Sequence, residues 1–219
     1  MPTPFVNEPF VNFGDPAVAA KMQDAIDRVR AAYGQRSASD YVFTNPGWNV
    51  VLMLLTCGIF GLYLFYQLMR RDRDHNRRRL EVLDAANTFA WQQATDRGRA
   101  EELRPAFERA ATGLDTMRRL TTEFRDPGLW VVISLFANGL AQIVGFVLID
   151  EDLETHDRAE GAVEAELAAI FTSLGHPMTA PDPSRVKGRH NYIGRIIATF
   201  ATCGVYQLWW LYNMQVDGN

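Results

Sequence analysis

The segment that decides how this chain is interpreted reads TCGIFGLYLFYQLM and covers residues 56–69. A second segment, TCGVYQLWWLYNMQ, repeats it at residues 202–215. Both copies open with Thr, Cys and Gly, and both carry a Leu and a Tyr at the same later positions. Agreement over this length indicates an internal repeat. The identical positions that define the motif are Thr56, Gly58 and Tyr66 in the first copy and Thr202, Gly204 and Tyr212 in the second.

Charged residues are absent from three long windows of the chain. Residues 47–69, 128–149 and 196–216 contain no Asp, Glu, Lys or Arg over 23, 22 and 21 positions. At about 1.5 Å per residue, a helix over each window would be about 30 Å long, which is the thickness of the hydrocarbon core of a bilayer. The windows therefore predict an all-α membrane protein with three transmembrane helices, and the two repeat copies close the first and the third.

A cluster of arginines follows the first window directly. Basic residues beside a membrane span mark its cytoplasmic side and attract anionic lipid headgroups. The cluster therefore predicts that residues 70–127 are cytoplasmic, with the arginines acting as a topology signal or as a site for anionic lipids. Its members are Arg70, Arg71, Arg73, Arg77, Arg78 and Arg79.

The region between the first two windows has the pattern of a long helical hairpin with its turn at residues 95–99. Apolar residues alternate four and three apart along its second arm, which is typical of a coiled-coil seam. This predicts a coiled-coil-like hairpin that pairs with another copy or with a partner. The seam consists of Leu103, Phe107, Ala110, Leu114, Met117, Thr121 and Phe124.

These patterns divide the chain into seven segments. The first is an N-terminal arm with a short amphipathic helix that starts at Asp15-Pro16, because Asp caps a helix and Pro suits its first position. In order, the segments are 1–46 (arm and helix), 47–69 (transmembrane helix 1), 70–127 (cytoplasmic hairpin), 128–149 (transmembrane helix 2), 150–190 (acidic helix and Pro-rich loop), 191–216 (transmembrane helix 3) and 217–219 (tail).

The second window carries polar side chains on one helical face. Ser134, Asn138 and Gln142 recur every four residues, and Gly145 belongs to a small-residue ridge beside them. Small residues and amides are what helix–helix contacts in lipid use, so this face predicts packing between helices. The same face could instead line a polar path between protomers.

The basic residues before the third window disagree with three full crossings. Arg185, Lys187, Arg189 and Arg195 would lie in an outside loop, where basic residues are disfavoured. An alternative removes the disagreement: the apolar runs bend at Thr-Cys-Gly into re-entrant hairpins, and all polar parts stay on one side.

The chain contains no phosphate-binding glycine loop and no dinucleotide-binding glycine motif. His156 and Glu160 share a helix face, and His75 neighbours Asp72 and Asp74, but no third ligand follows at metal spacing, so solvent-exposed faces are expected. The hairpin holds 13 basic and 11 acidic residues, which disfavours nucleic acid. We therefore predict no catalytic residue, no metal and no cofactor.

The pattern Thr-x-Gly-[Ile/Val]-[Phe/Tyr]-x-Leu-[Tyr/Trp] resembles the signature of a bacterial membrane-protein family of unknown function. Members of that family carry a Thr-Leu-Gly-Ile-Tyr-Gly-Leu-Tyr-Trp-like motif at the ends of apolar segments, often twice. The present chain departs from it with Cys57 and Cys203 in place of Leu and with Leu64 in place of Trp. The resemblance implies a multi-pass protein of the bacterial inner (plasma) membrane and implies no activity.

Together these patterns predict an integral membrane scaffold or interaction protein, homo-oligomeric through its hairpin and its small or polar transmembrane faces. The expected partners are membrane lipids and a second copy or another membrane or cytoplasmic protein. The alternative is an oligomeric pore or transport element lined by the second transmembrane helix. An enzyme acting on lipid is disfavoured, because the sequence offers no nucleophile with its base and no metal-ligand set.

Overall fold

The computed structural model describes residues 16–36, 43–122, 126–137, 140–182, 184 and 190–217. Within these residues the regular elements are all helices, as the sequence predicts, and no strand is present. In chain order the helices are α1 (Pro16–Gly34), α2 (Pro46–Leu55), α3 (Ile59–Asp96), α4 (Ala100–Thr122), α5 (Pro127–Phe136), α6 (Leu140–Ser173), α7 (Tyr192–Ala201) and α8 (Val205–Asp217).

The predicted transmembrane helices are not found. Among the described residues, no helix combines the length with the apolar character that crossing a membrane requires. The three-span fold, the transmembrane helices and the multi-pass location in the inner membrane are therefore wrong. The reason is local: a break between two helices falls within each charge-free window, between Leu55 and Ile59, between Phe136 and Leu140, and between Ala201 and Val205. We call these breaks the cuts. The helices that precede the cuts have only 10 residues each, or about 15 Å.

Backbone geometry at the Thr-Cys-Gly motif explains two of the cuts. Cys57 and Gly58 have φ angles of 50° and 90°, and Cys203 and Gly204 have 50° and 91°. Left-handed residues of this kind end a helix, because the chain can no longer continue its hydrogen-bond ladder. In the first copy the Gly58 N–H donates back to the carbonyl of Met53 at 2.8 Å, and the second copy makes the equivalent bond at the same distance.

The threonine of the motif joins the two helices on either side of the cut. The Thr56 hydroxyl donates to the Leu52 carbonyl at 2.9 Å and accepts the Phe60 N–H at 3.0 Å. The Thr202 hydroxyl makes the equivalent bond to a carbonyl of α7 at 2.7 Å and accepts the Tyr206 N–H at 2.9 Å. One side chain thus satisfies the last turn of one helix and the first turn of the next. The two repeat copies have the same local structure.

A capping side chain fixes where each short helix begins. Asn45 accepts from the Trp48 N–H at 3.0 Å, Asp126 from the Leu129 N–H at 2.8 Å, and Asn191 from the Gly194 N–H at 2.9 Å. Such caps satisfy one of the backbone donors that a helix N-terminus leaves open. The chain therefore contains three segments of the same kind, each with a capped helix, a cut and a second helix.

The chain divides into two compact units. The first unit comprises residues 1–36, 76–122 and 156–186, and the second comprises residues 37–75, 123–155 and 187–219. Helices α3 and α6 each contribute residues to both units.

The first unit buries the predicted seam of the second hairpin arm. The hairpin turn lies where the sequence predicts it, since α3 ends at Asp96 and α4 begins at Ala100. The seam, however, packs inside the chain against α3 and α6, with Trp91 edge-on to Phe107 at 5.0 Å. Its last predicted member, Phe124, lies outside the described residues. The core contains Leu83, Ala90, Trp91, Leu103, Phe107, Leu114, Met117, Val163, Leu167, Ile170 and Leu174.

The core of the second unit lies away from the cuts. It is formed by Phe43 and by the parts of α3, α6 and α8 that begin at Leu64, Phe146 and Trp210. Phe146 of α6 lies between Phe65 and Trp210, with ring centroids 5.7 Å apart in both pairs. The buried residues are Phe43, Leu64, Phe65, Leu68, Met69, Phe146, Ile149, Trp210, Leu211 and Met214. The apolar residues closest to the cuts are left out of this core.

Candidate functional site

Large apolar side chains are exposed beside all three cuts. Phe136 is 85% exposed, Ile59 is 72% and Leu55 is 71%, although apolar residues of this size are mostly buried in folded proteins. We call these residues the apolar tips. They are Leu54, Leu55 and Ile59 at the first cut, Leu135, Phe136 and Leu140 at the second, and Ile197, Phe200 and Val205 at the third. Exposed apolar surface on this scale marks an interaction site.

The backbone at the first cut is hydrogen-bonded within its own segment. The Cys57 N–H donates to the Leu54 carbonyl at 3.2 Å, and the Ile59 N–H donates to the Thr56 carbonyl at 3.1 Å. Water is therefore not needed to satisfy these donors. Internal satisfaction of backbone groups is the condition for placing non-helical backbone in a hydrocarbon environment.

Aromatic side chains lie further along the same helices. Trp48 is 55% exposed and Trp209 is 50% exposed, and Tyr63 and Tyr212 are 43% and 40% exposed. Tyr66, the motif position equivalent to Tyr212, is half-buried. Trp48 and Tyr212 are each eight residues from the nearest motif glycine or threonine, about 12 Å along a helix. Trp and Tyr are enriched at membrane–water interfaces, where apolar and polar surroundings meet.

The arginines predicted to act together fall into two groups. In the second unit, Arg70 and Arg73 both lie near Asp74, at 3.6 and 3.0 Å, with 47% and 37% of their side chains exposed. Arg71 is half-buried in the same stretch. Arg70 begins about 16 Å along α3 from Ile59, beyond the apolar part of the helix.

The remaining arginines belong to the first unit. Arg77 is exposed and Arg78 is buried. Arg79 donates to Glu160 at 2.6 Å and also pairs with Glu164. Arg79 therefore connects α3 to α6, and it is only 16% exposed. Arg79 therefore stabilises the first unit and is not presented to a ligand.

The pair formed by His156 and Glu160 is buried and not solvent-exposed as the sequence suggested. His156 is 1% exposed, and its Nε2 lies 2.9 Å from a Glu160 carboxylate oxygen. Burial alone would raise the pKa of Glu160, but the His156 hydrogen bond and the Arg79 charge overcome it and lower that pKa to about 2. Glu160 is therefore ionised at neutral pH and stabilises this part of the first unit.

The polar face predicted in the second window is used inside the second unit. Ser134 is buried, and its hydroxyl donates to the Trp130 carbonyl at 2.8 Å. The Gln142 side-chain oxygen accepts from Gln207 at 3.3 Å. Gly145 faces the ring of Phe65 closely enough that an added Cβ would lie 2.8 Å from its Cε2. Asn138 lies outside the described residues.

A pocket of about 270 Å³ lies between the two repeat copies within the second unit. Both motifs contribute to it, and so does α6. Its wall is mostly apolar, with the Gln142–Gln207 amide pair as its polar feature. The lining residues are Met53, Leu54, Cys57, Gly58, Gly61, Gln142, Phe146, Gly204, Gln207, Leu208 and Leu211.

Sequence reasoning missed a buried polar cluster around Asp150. Asp150 is 4% exposed, pairs with Arg195, and accepts a hydrogen bond from the Trp210 indole at 3.3 Å. His190 Nδ1 lies 3.1 Å from the same carboxylate, and the Arg195 guanidinium lies over the Trp210 ring at 5.3 Å. Burial raises the pKa of Asp150, and the Arg195 charge opposes that shift.

This cluster connects α6, α7 and α8, and therefore it anchors the third short helix to the core. Arg195 was the visible signal, because it stands within a largely apolar stretch and a charge there requires a partner. Which acidic residue would supply that partner, 45 positions away, was not evident from the sequence.

Comparison of the chain with protein-family models, with curated proteins and with solved structures gave no match.

Proposed function

We propose that this protein is an interaction protein that binds lipid bilayers through its second unit, inserting the apolar tips into one leaflet without crossing it. The observation that carries the proposal is the exposure of the tips at all three cuts, with Phe136 at 85%. Transfer of nine such side chains out of water would contribute on the order of 10 kcal/mol, before the costs of association are subtracted.

The dimensions of the segments support insertion to the depth of one leaflet. Helices of 10 residues are about 15 Å long, which is half of the roughly 30 Å hydrocarbon core. With the tips at mid-bilayer, Trp48 and Tyr212 would lie near the interface and Arg70 would lie at headgroup level, where cations meet lipid phosphates. Apolar runs of 10–14 residues are too short to span a bilayer, and a re-entrant or interfacial segment is one of the structures that they form.

Lipid explains the tips better than a coiled-coil partner does. The seam that predicted self-association is buried in the first unit and is not available to a second copy. The polar face that predicted a pore is occupied by contacts within the second unit, as at Gln142. Neither the α4 seam contacts nor the contacts of Gln142 cover the apolar tips, which remain exposed.

The two native cysteines provide a direct test, because both are exposed and lie at the cuts. An environment-sensitive fluorophore is attached to Cys57 in a Cys203→Ser variant and to Cys203 in a Cys57→Ser variant. On mixing with phosphatidylcholine and phosphatidylglycerol vesicles, we expect a blue shift, with stronger quenching by nitroxides near the ends of the acyl chains than by headgroup nitroxides.

The matched control carries the same fluorophore at exposed Thr112 of the first unit, as Thr112→Cys in a cysteine-free background. Its emission should not change on mixing with vesicles. If the labels at Cys57 and Cys203 are equally unresponsive, the proposal is refuted. Labels that are already blue-shifted without lipid, in a protein of defined higher mass, would instead support self-association through the tips.

A further inference from the structure

We propose that the pocket between the two repeat copies holds the end part of one acyl chain of a bilayer phospholipid. This inference rests on the proposed lipid binding, and it adds a specific site for a single lipid chain to a general apolar surface.

The walls of the pocket fit an acyl chain. Met53 and Leu54 come from the segment of the first copy, and Leu208 and Leu211 come from the second, with Phe146 of α6 also lining the pocket. No ionisable side chain other than the Cys57 thiol lines it within the described residues. A charged ligand would lose its hydration without gaining a counter-charge, whereas a hydrocarbon chain gains from burial.

The pocket connects the exposed surface with the core. Leu54, which is 60% exposed, and Cys57, which is also exposed, belong to the lipid-facing end of the first segment. Phe146 and Leu211 are 3% and 2% exposed and lie in the core. A chain that enters beside the first tip can therefore reach residues that the surrounding bilayer cannot.

One amide pair interrupts the apolar wall. The Gln207 amide donates one N–H to the Gln142 oxygen at 3.3 Å. Pockets that bind small apolar ligands typically combine apolar walls with a few placed polar groups.

Photocrosslinking tests the site. Vesicles contain a phosphatidylcholine with a diazirine in one acyl chain, and adducts on the full-length protein are mapped by mass spectrometry. We expect adducts at the tips and, in addition, at the buried positions Phe146 and Leu211. Vesicle-bound protein with adducts only at the tips would overturn the pocket while leaving the proposed function intact. Protein that does not bind the vesicles would overturn both.

Two substitutions from opposite walls fill the pocket, Met53→Trp and Leu208→Trp, and Val216→Trp is the matched control at an exposed position outside the tips and the pocket. We expect the adducts at Phe146 and Leu211 to fall at least fivefold in the filled variants and less than twofold in the control, with vesicle binding and helical circular dichroism retained. A filled variant that remains folded and bound, yet keeps these adducts, contradicts the site. If neither filled variant folds, the wild-type adduct map decides alone.

Discussion

Replacement of Phe136, the most exposed apolar tip, tests the proposed insertion most directly. Its side chain is 85% exposed in the free protein, so most of its transfer free energy remains available for insertion. Phe136→Ala removes about 2 kcal/mol of that free energy. Phe136→Asp removes the same amount and places a carboxylate in hydrocarbon, which costs about a further 2.5 kcal/mol.

These two substitutions are therefore expected to weaken partitioning into vesicles by different factors. At 1.4 kcal/mol per tenfold change, Ala should lower the partition coefficient about 30-fold and Asp about 1,000-fold. The coefficient is measured by flotation over a range of lipid concentrations, with circular dichroism to verify the helix content. Thr112→Asp, which adds the same charge at an exposed position of the first unit, should leave the coefficient unchanged.

The relative loss of binding in the Ala and Asp variants shows whether Phe136 enters hydrocarbon. If Ala and Asp weaken binding to a similar extent and by less than threefold, Phe136 does not enter hydrocarbon. An equal loss of binding for Thr112→Asp would indicate electrostatic repulsion from anionic lipids. On vesicles of phosphatidylcholine alone, Thr112→Asp would then show no such loss.

Three further predictions concern the framework of the two units, and each is measured as a shift in thermal or denaturant unfolding followed by circular dichroism. Gly145→Ala should destabilise the second unit by about 1–3 kcal/mol, because the new methyl group overlaps the fully buried ring of Phe65; an unchanged midpoint would show that the ring moves freely. Gly58→Ala should lower the free energy of unfolding by about 1–3 kcal/mol, because Ala is strained at a φ of 90° even though no atom lies within 4 Å of the added Cβ. Gly47→Ala, where φ is not positive, should cause no comparable loss. Glu160, with a pKa lowered from 4.5 to about 2, should contribute about 3 kcal/mol to the free energy of unfolding above pH 4.5, and this contribution is lost as the pH falls towards about 2. Glu160→Gln should remove this pH dependence of stability. A pH dependence that persists in the variant would point to other groups.

Several features of the fold follow from the sequence because their causes are local. The predicted start of α1 at Pro16 needs only an Asp before it and a proline at the first position, both visible in the sequence. The hairpin turn and the spacing of the α4 seam are likewise periodic signals. The repeat also predicts that its two copies share one local structure, and the same hydrogen bonds recur around Thr56 and Thr202.

The candidate site was only partly predictable, because the exposure of its apolar tips depends on the backbone angles of a few residues. An average over residues 47–69 counts Thr, Cys and Gly as acceptable in a membrane helix, and it therefore predicts one long span. The structure has a left-handed Cys57 and Gly58 instead, and two shorter helices result. Re-entrant bending at the motif was open as an alternative, but composition alone could not select it.

What the sequence by itself determined is the helical content, the start of α1, the repeat and the absence of charge from three windows, because each is a pattern of residue types that can be read along the chain. Only the tertiary structure decided that the α4 seam packs against its own chain and that Asp150 meets Arg195 across 45 positions. Those outcomes depend on contacts between distant segments, whose free energies compete and do not appear in any local pattern. The exposed apolar tips are what that competition leaves outside the core of the second unit.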